Sequence, residues 1–167
     1  GAQYDEMGTF LADSFEPLLD EVMDWCRDNL AETNTPFDAE LTDEYKTLSP
    51  SDFGFHNALN RGGEVVFLDF EYFGWDDPVK LTCDFILHPG MLLTEGQKNL
   101  WLGKIKNIFS ENHSFQNRLN VSYCLYGLCW CLIQLNIFYK KNAEINKNLM
   151  PRVTSIINDC LESGSPA

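Results

Sequence analysis

Three features of the sequence predict a mostly helical α+β fold with one small β-hairpin. Apolar residues recur at three- and four-residue spacing from Met7 to Leu30, Arg61-Gly62-Gly63 separates two short strand-like runs, and Leu119 to Tyr139 is almost wholly apolar. The chain has 167 residues, 44% hydrophobic and 22% charged, which suits one domain with a sizeable core and rules out disordered, collagen-like and coiled-coil classes.

Each element follows from local chemistry. Phe10, Leu11, Phe15, Leu18, Leu19, Val22, Trp25, Cys26 and Leu30 share one helical face, with acids between them, so the first segment is an amphipathic helix. Asn34-Thr35-Pro36 breaks it, and Asp38 to Leu48 is expected to add a helical turn or two before Ser49-Pro50 ends regular structure. Asn57 to Asp69 is expected to form the hairpin, with Leu59 facing Glu64 across a four-residue turn. Pro78 opens a helix capped by Asp76 or Asp77 and stopped after Leu87 by Pro89-Gly90. Thr94 caps the next helix, which runs to Phe109.

Asn120, Ser122, Gln134 and Asn136 interrupt the apolar stretch, which therefore falls short of the roughly 18 unbroken apolar residues of a spanning helix. A buried central helix is expected instead, followed by an amphipathic helix from Ala143 to Leu161 and a frayed tail. Phe70, Tyr72, Phe73 and Trp75 are expected to pack the hairpin onto the helices, or else to wall a site for an organic cation.

A net charge of −13 argues against nucleic acid and against an anionic membrane surface as partners. Of the 25 acids, 20 lie at or before Asp84, against only four of the 12 bases. Solvated helix faces account for such a bias, and so does a site for a metal ion or a basic substrate. The first ten residues show neither a basic nor an apolar signal region, and the six cysteines match no zinc spacing, so a cytoplasmic protein with buried, reduced thiols at Cys124, Cys129 and Cys131 is expected.

The chemistry gathers around the hairpin. With Leu59 opposite Glu64, Asp69 falls opposite Gly54, and a strand spacing of about 4.8 Å returns it to the loop holding Asp52 and Asn57. Two carboxylates and an amide oxygen are hard ligands of the kind that suit Mg²⁺. Singly, an Asp or Asn beside a turn is most often a cap. As an ordered set, Asp52, Asn57 and Asp69 make a candidate site. His56 and His88 have no partners at ligand spacing and are expected to pack or cap.

Asp52, Asn57 five residues later, the hairpin ending in Asp69-Phe70, and then Asp77-Pro78 resemble the C-terminal lobe of the aminoglycoside phosphotransferase and choline kinase family, which has a protein-kinase-like fold. The resemblance covers Pro50 to Pro78, and the later helices fit by type and order. It implies a kinase-like C-terminal lobe with Asp52 as the catalytic aspartate, Asn57 and Asp69 as ligands of Mg²⁺ and so of the ATP phosphates, and Asp77 as a helix cap. The family's histidine two residues before the aspartate is replaced by Pro50, and the acid expected four residues after Asp77 is Leu81.

No upstream strand lysine or phosphate-covering loop precedes Asp52, so residues 1–167 are expected to form a single lobe whose N-terminal nucleotide lobe lies elsewhere in a longer parent chain. The expected function is ATP-dependent phosphorylation of a hydroxyl on a small, amine-bearing substrate, with the isolated lobe inactive and prone to self-association through its upper face. The alternatives are a catalytically silent kinase-like binding or regulatory module and a Mg²⁺-dependent hydrolase built on Asp52 and Asp69.

Overall fold

A computed structural model describes residues 7–135. Residues 7–10 are helical, a π-helical turn spans Leu11–Phe15, and α1 runs from Glu16 to Glu32. The π turn interrupts the continuous helix expected here. It places Phe10 and Phe15, five residues apart, in contact at 6.4 Å between ring centroids, so that both meet the core. Along α1, Val22, Cys26 and Leu30 recur every four residues and are buried, while the intervening acids face solvent.

The core is built on a long central helix, α4 (Phe115–Leu135), against which α1 and α2 (Pro78–Leu87) both pack. Leu119, Cys124 and Leu128 of α4 are fully buried, with Val79 and Cys83 of α2. The Cys26 thiol donates to the Val121 carbonyl at 3.2 Å, tying α1 to α4. Burial first, then the neighbouring Cys124, pushes the Cys26 thiol up to about 12, so it stays protonated. Cys124 and Cys131 are buried as expected. Cys129, however, is exposed. No helix among the described residues is long and apolar enough to cross a membrane. The expected Ala143 to Leu161 helix lies outside the described residues.

Caps follow the sequence closely. Asp77 is the N-cap of α2, accepting from Val79 N at 2.8 Å with Pro78 at the first helical position, and its other oxygen pairs with Arg118 of α4. Thr94 and Gln97 form a reciprocal capping box at the start of α3 (Glu95–Ile108).

Two small antiparallel sheets occur rather than one hairpin. β1 (Thr47–Ser49) pairs with β4 (Gly74–Asp76), in a segment expected to be helical, where only a 3-10 turn at Asp43–Tyr45 forms. β2 (Ala58–Arg61) pairs with β3 (Glu64–Phe67), and the register corrects the expected one: Arg61 faces Glu64 and Leu59 faces Val66. Gly62 and Gly63 both have positive φ, 63° and 98°, giving a two-residue turn whose twist matches the strands, so no four-residue loop is needed. Among the described residues, Phe70, Tyr72, Phe73 and Trp75 join neither the core nor the residues packed against it. All four are exposed, Tyr72 by 72% and Trp75 by 68%.

Candidate functional site

The loop between β1 and β2 is held by aromatic packing that the sequence reading did not foresee. Phe53 sits 4.7 Å from Phe67 of β3 and 5.6 Å from Phe85 of α2, and Phe85 stacks on Trp101 of α3 at 3.9 Å. One ring thus fastens the loop to the hairpin and to two helices. Apolar alternation around residues 51–57 gave the only available signal.

Within this loop the backbone turns sharply just before Asp52. Asp52 N donates to the Pro50 carbonyl at 2.9 Å across Ser51, whose φ is 69°, which is a γ-turn in the left-handed region. Ser51 N donates in turn to the hydroxyl of the buried Ser49 at 3.1 Å. Asp69 has a φ of 61°. Both carboxylate-bearing segments therefore pass through a backbone region that costs a non-glycine residue about 1–3 kcal/mol, a cost that concentrates at functional sites.

Asn57 Nδ2 donates to the Asp52 main-chain oxygen at 2.9 Å and to Asp52 Oδ2 at 3.1 Å. The amide nitrogen is thereby committed. Asn57 Oδ1 accepts no hydrogen bond among the described residues and is left as a free hard donor. Asp52 and Asn57 are brought together as the sequence suggested. The ladder ends at the Ala58–Phe67 pair and the Leu68 N to Asn57 O bond at 2.8 Å, since residues 55–57 form a 3-10 turn and Asp69 has positive φ. The expected Asp69–Gly54 pairing therefore does not occur, and Asp69 lies outside the group within 4.8 Å that Asp52 forms with His56 and His88. Asp69 is exposed, and its carboxylate has no hydrogen-bond or ion-pair partner among the described residues.

The two histidines pack and cap as expected, the rings stacking on each other and His88 ending α2, but they also share a partner that sequence spacing did not show. His56 Nε2 lies 3.0 Å and His88 Nε2 3.7 Å from Asp52 Oδ1, and the two rings stack at 3.9 Å with an interplanar angle of 3°. Sequence spacing missed this because His88 comes from the end of α2, 36 residues past Asp52. His88 is backed by the edge of Trp130 at 4.7 Å, and the Trp130 indole donates to Asp84 at 3.0 Å. Burial, and then the neighbouring His56, lowers the His88 pKa below its ordinary 6.5 against the pull of Asp52 and Asp84. Asp84 also accepts from Lys80 at 2.9 Å. Burial alone would lower the Lys80 pKa, but the Asp84 and Asp76 carboxylates outweigh it and leave it raised.

Asp52, His56 and His88 present one ligand atom each within 4.8 Å of one another, a composition that suits a transition metal as well as a proton network. The tautomer decides between these. Gly90 N donates to His88 Nδ1 at 3.0 Å, so the neutral ring carries its proton on Nε2, the atom facing Asp52. A donor, not a lone pair, points at the carboxylate. Comparison of the chain with protein-family models, with curated proteins and with solved structures gave no significant match in any of the three.

Proposed function

We propose that the chain is the acceptor-side, C-terminal lobe of an ATP-dependent phosphotransferase acting on the hydroxyl of a small, amine-bearing molecule. The observation that carries this reading is the commitment of Asn57 Nδ2 to Asp52, which leaves Asn57 Oδ1 without a hydrogen bond among the described residues. An amide oxygen and the unpartnered Asp69 carboxylate are donors of the hard-oxygen kind that Mg²⁺ takes, and this donor chemistry supports the ion that the resemblance implies. Bound there, Mg²⁺ would supply charge neutralisation at the nucleotide phosphates.

Asp52 has the other task. Its side chain is 51% exposed, so a solute hydroxyl can reach it, and it is anchored through its own main-chain oxygen by Asn57. A carboxylate held in that way accepts the acceptor's proton as the oxygen attacks. The acidic first half of the sequence favours a cationic acceptor.

The test is phosphoryl transfer from Mg²⁺-ATP to a panel of hydroxyl-bearing amines, by a polypeptide joining this chain to a nucleotide-binding lobe. Asp52→Asn and Asp69→Asn should each lower kcat by roughly 10²-fold or more. Undiminished transfer by the Asp69→Asn variant would contradict the metal role. A second reading, a kinase-like binding module without catalysis, draws support from Pro50 and from the exposed Phe70 to Trp75 run. Ligand binding without transfer to any acceptor would favour it.

A further inference from the structure

We propose that His56 and His88 are positioning residues that fix the Asp52 carboxylate from the side opposite Asn57. That Asp52 is a catalytic base rests on the phosphotransfer reading; that its carboxylate is clamped does not.

A carboxylate only accepts, so the His56 Nε2 at 3.0 Å from Asp52 Oδ1 must be a donor. The Gly90 N–H on His88 Nδ1 puts the His88 proton on Nε2, 3.7 Å from the same Oδ1, too long for a hydrogen bond but with the N–H dipole near the carboxylate. Asn57 Nδ2 covers Oδ2 at 3.1 Å. Each carboxylate oxygen therefore faces at least one N–H group, and rotation of the Asp52 side chain in either direction breaks a contact.

The histidines are themselves held. The 3° stack at 3.9 Å keeps the two rings parallel, with both Nε2 atoms toward Asp52. Trp130 of the central helix backs His88, and the Trp130–Asp84 bond holds the indole. On the other side, space is closed at two glycines. A Cβ at Gly54 would lie 2.6 Å from His56 Cε1 and Nδ1, and one at Gly90 would lie 3.0 Å from His88 Cε1. A relay of contacts thus runs from α4 through Trp130, His88 and His56 to Asp52. The groups facing the stack are Asp52 from the loop, Asp84 from α2 and Trp130 from α4.

The same geometry opposes chelation by the pair. Lone pairs in parallel stacked rings do not converge on one ion, and the Gly90 bond turns a proton rather than a lone pair outward at His88.

Solution NMR on the 167-residue chain at pH 8 tests the clamp without nucleotide or acceptor, so it can fail while the phosphotransfer reading stands, and the reverse. Three readouts are used: the tautomers of His56 and His88 from long-range ¹H–¹⁵N correlations, the Asp52 ¹³Cγ shift, and the Asn57 side-chain amide signals. The expected results are Nε2–H on both rings, a shift of Asp52 ¹³Cγ and of the Asn57 amide in His56→Ala, and return of both toward wild type in His56→Gln, whose amide also donates. His88→Ala should give a smaller shift in the same direction. Unmoved Asp52 and Asn57 signals in both alanine variants would overturn the proposal. So would an Nδ1–H tautomer at His88, or stoichiometric Zn²⁺ binding that perturbs both imidazoles, since either would put a lone pair where a donor is required.

Discussion

Asn57 and Asp52 form one unit, a single amide nitrogen bridging the aspartate's main-chain oxygen at 2.9 Å and its carboxylate at 3.1 Å. Replacing that nitrogen with an oxygen turns two attractions into repulsions. Asn57→Asp should therefore lower stability by about 1 kcal/mol, the order of a lost hydrogen bond plus like-charge contact. Urea unfolding at neutral pH measures it, and part of the loss should return at low pH as the two carboxylates protonate. An unchanged midpoint would mean that the bridge contributes nothing.

Gly54 has a φ of 178°, which any residue can adopt, so its requirement is spatial. A Cβ there would lie 2.6 Å from the His56 ring and 2.7 Å from Met91 Sδ, the atom that accepts the Phe55 N–H at 3.0 Å. Gly54→Ala should cost about 1–3 kcal/mol through overpacking. It should also separate the two imidazoles, visible as ring-current shifts at His88. A fully stable Gly54→Ala with unmoved His88 signals would refute the close packing.

Ser51 gives a change of the opposite sign. Its φ of 69° is unfavourable for a residue with a Cβ and free for glycine. Ser51→Gly should raise stability by about 1 kcal/mol, offset in part by the greater entropy of the unfolded chain. Ser51→Val should lower it. Chemical denaturation of the pair reads both signs, and a stabilising valine would contradict the left-handed turn.

The depressed pKa of His88 sets a pH dependence. Burial, foremost, makes its folded value lower than 6.5, so the unfolded chain binds the proton first as pH falls. The resulting stability is fully present above about 6.5 and is lost as pH drops from there through the folded value. Unfolding midpoints of wild type and His88→Gln should accordingly differ in slope between pH 7.5 and 5, with the variant flatter. Parallel curves would show that His88 is not held neutral.

Local rules carried the helices and failed where distant segments meet. The Asp77 and Thr94 caps, and the burial of Val22, Cys26 and Leu30, were legible because each depends on residues within two turns. The β1–β4 pair was not, since three-residue strands separated by 24 residues leave no period to count. The hairpin was legible but its register was not. A four-residue and a two-residue turn differ only in whether Asn60 and Arg61 join the ladder, and the positive φ at both Gly62 and Gly63 decides it. Asp52 and Asn57 were found through their five-residue spacing. His88 was missed because its route to Asp52 passes through the end of α2, and no sequence interval encodes the stack with His56.

The proposed cation site at Asn57 and Asp69 is tested most directly with Mn²⁺ in place of Mg²⁺, because both favour the same oxygen ligands and Mn²⁺ broadens nearby NMR signals. Titrated into the 167-residue chain, Mn²⁺ should first broaden the Asn57 side-chain amide and the Asp69 backbone amide, with excess Mg²⁺ reversing the effect and Asp69→Asn abolishing it. Broadening confined to the acidic face of α1, with Asn57 and Asp69 sharp and the Asp69→Asn spectrum indistinguishable from wild type, would contradict the assignment.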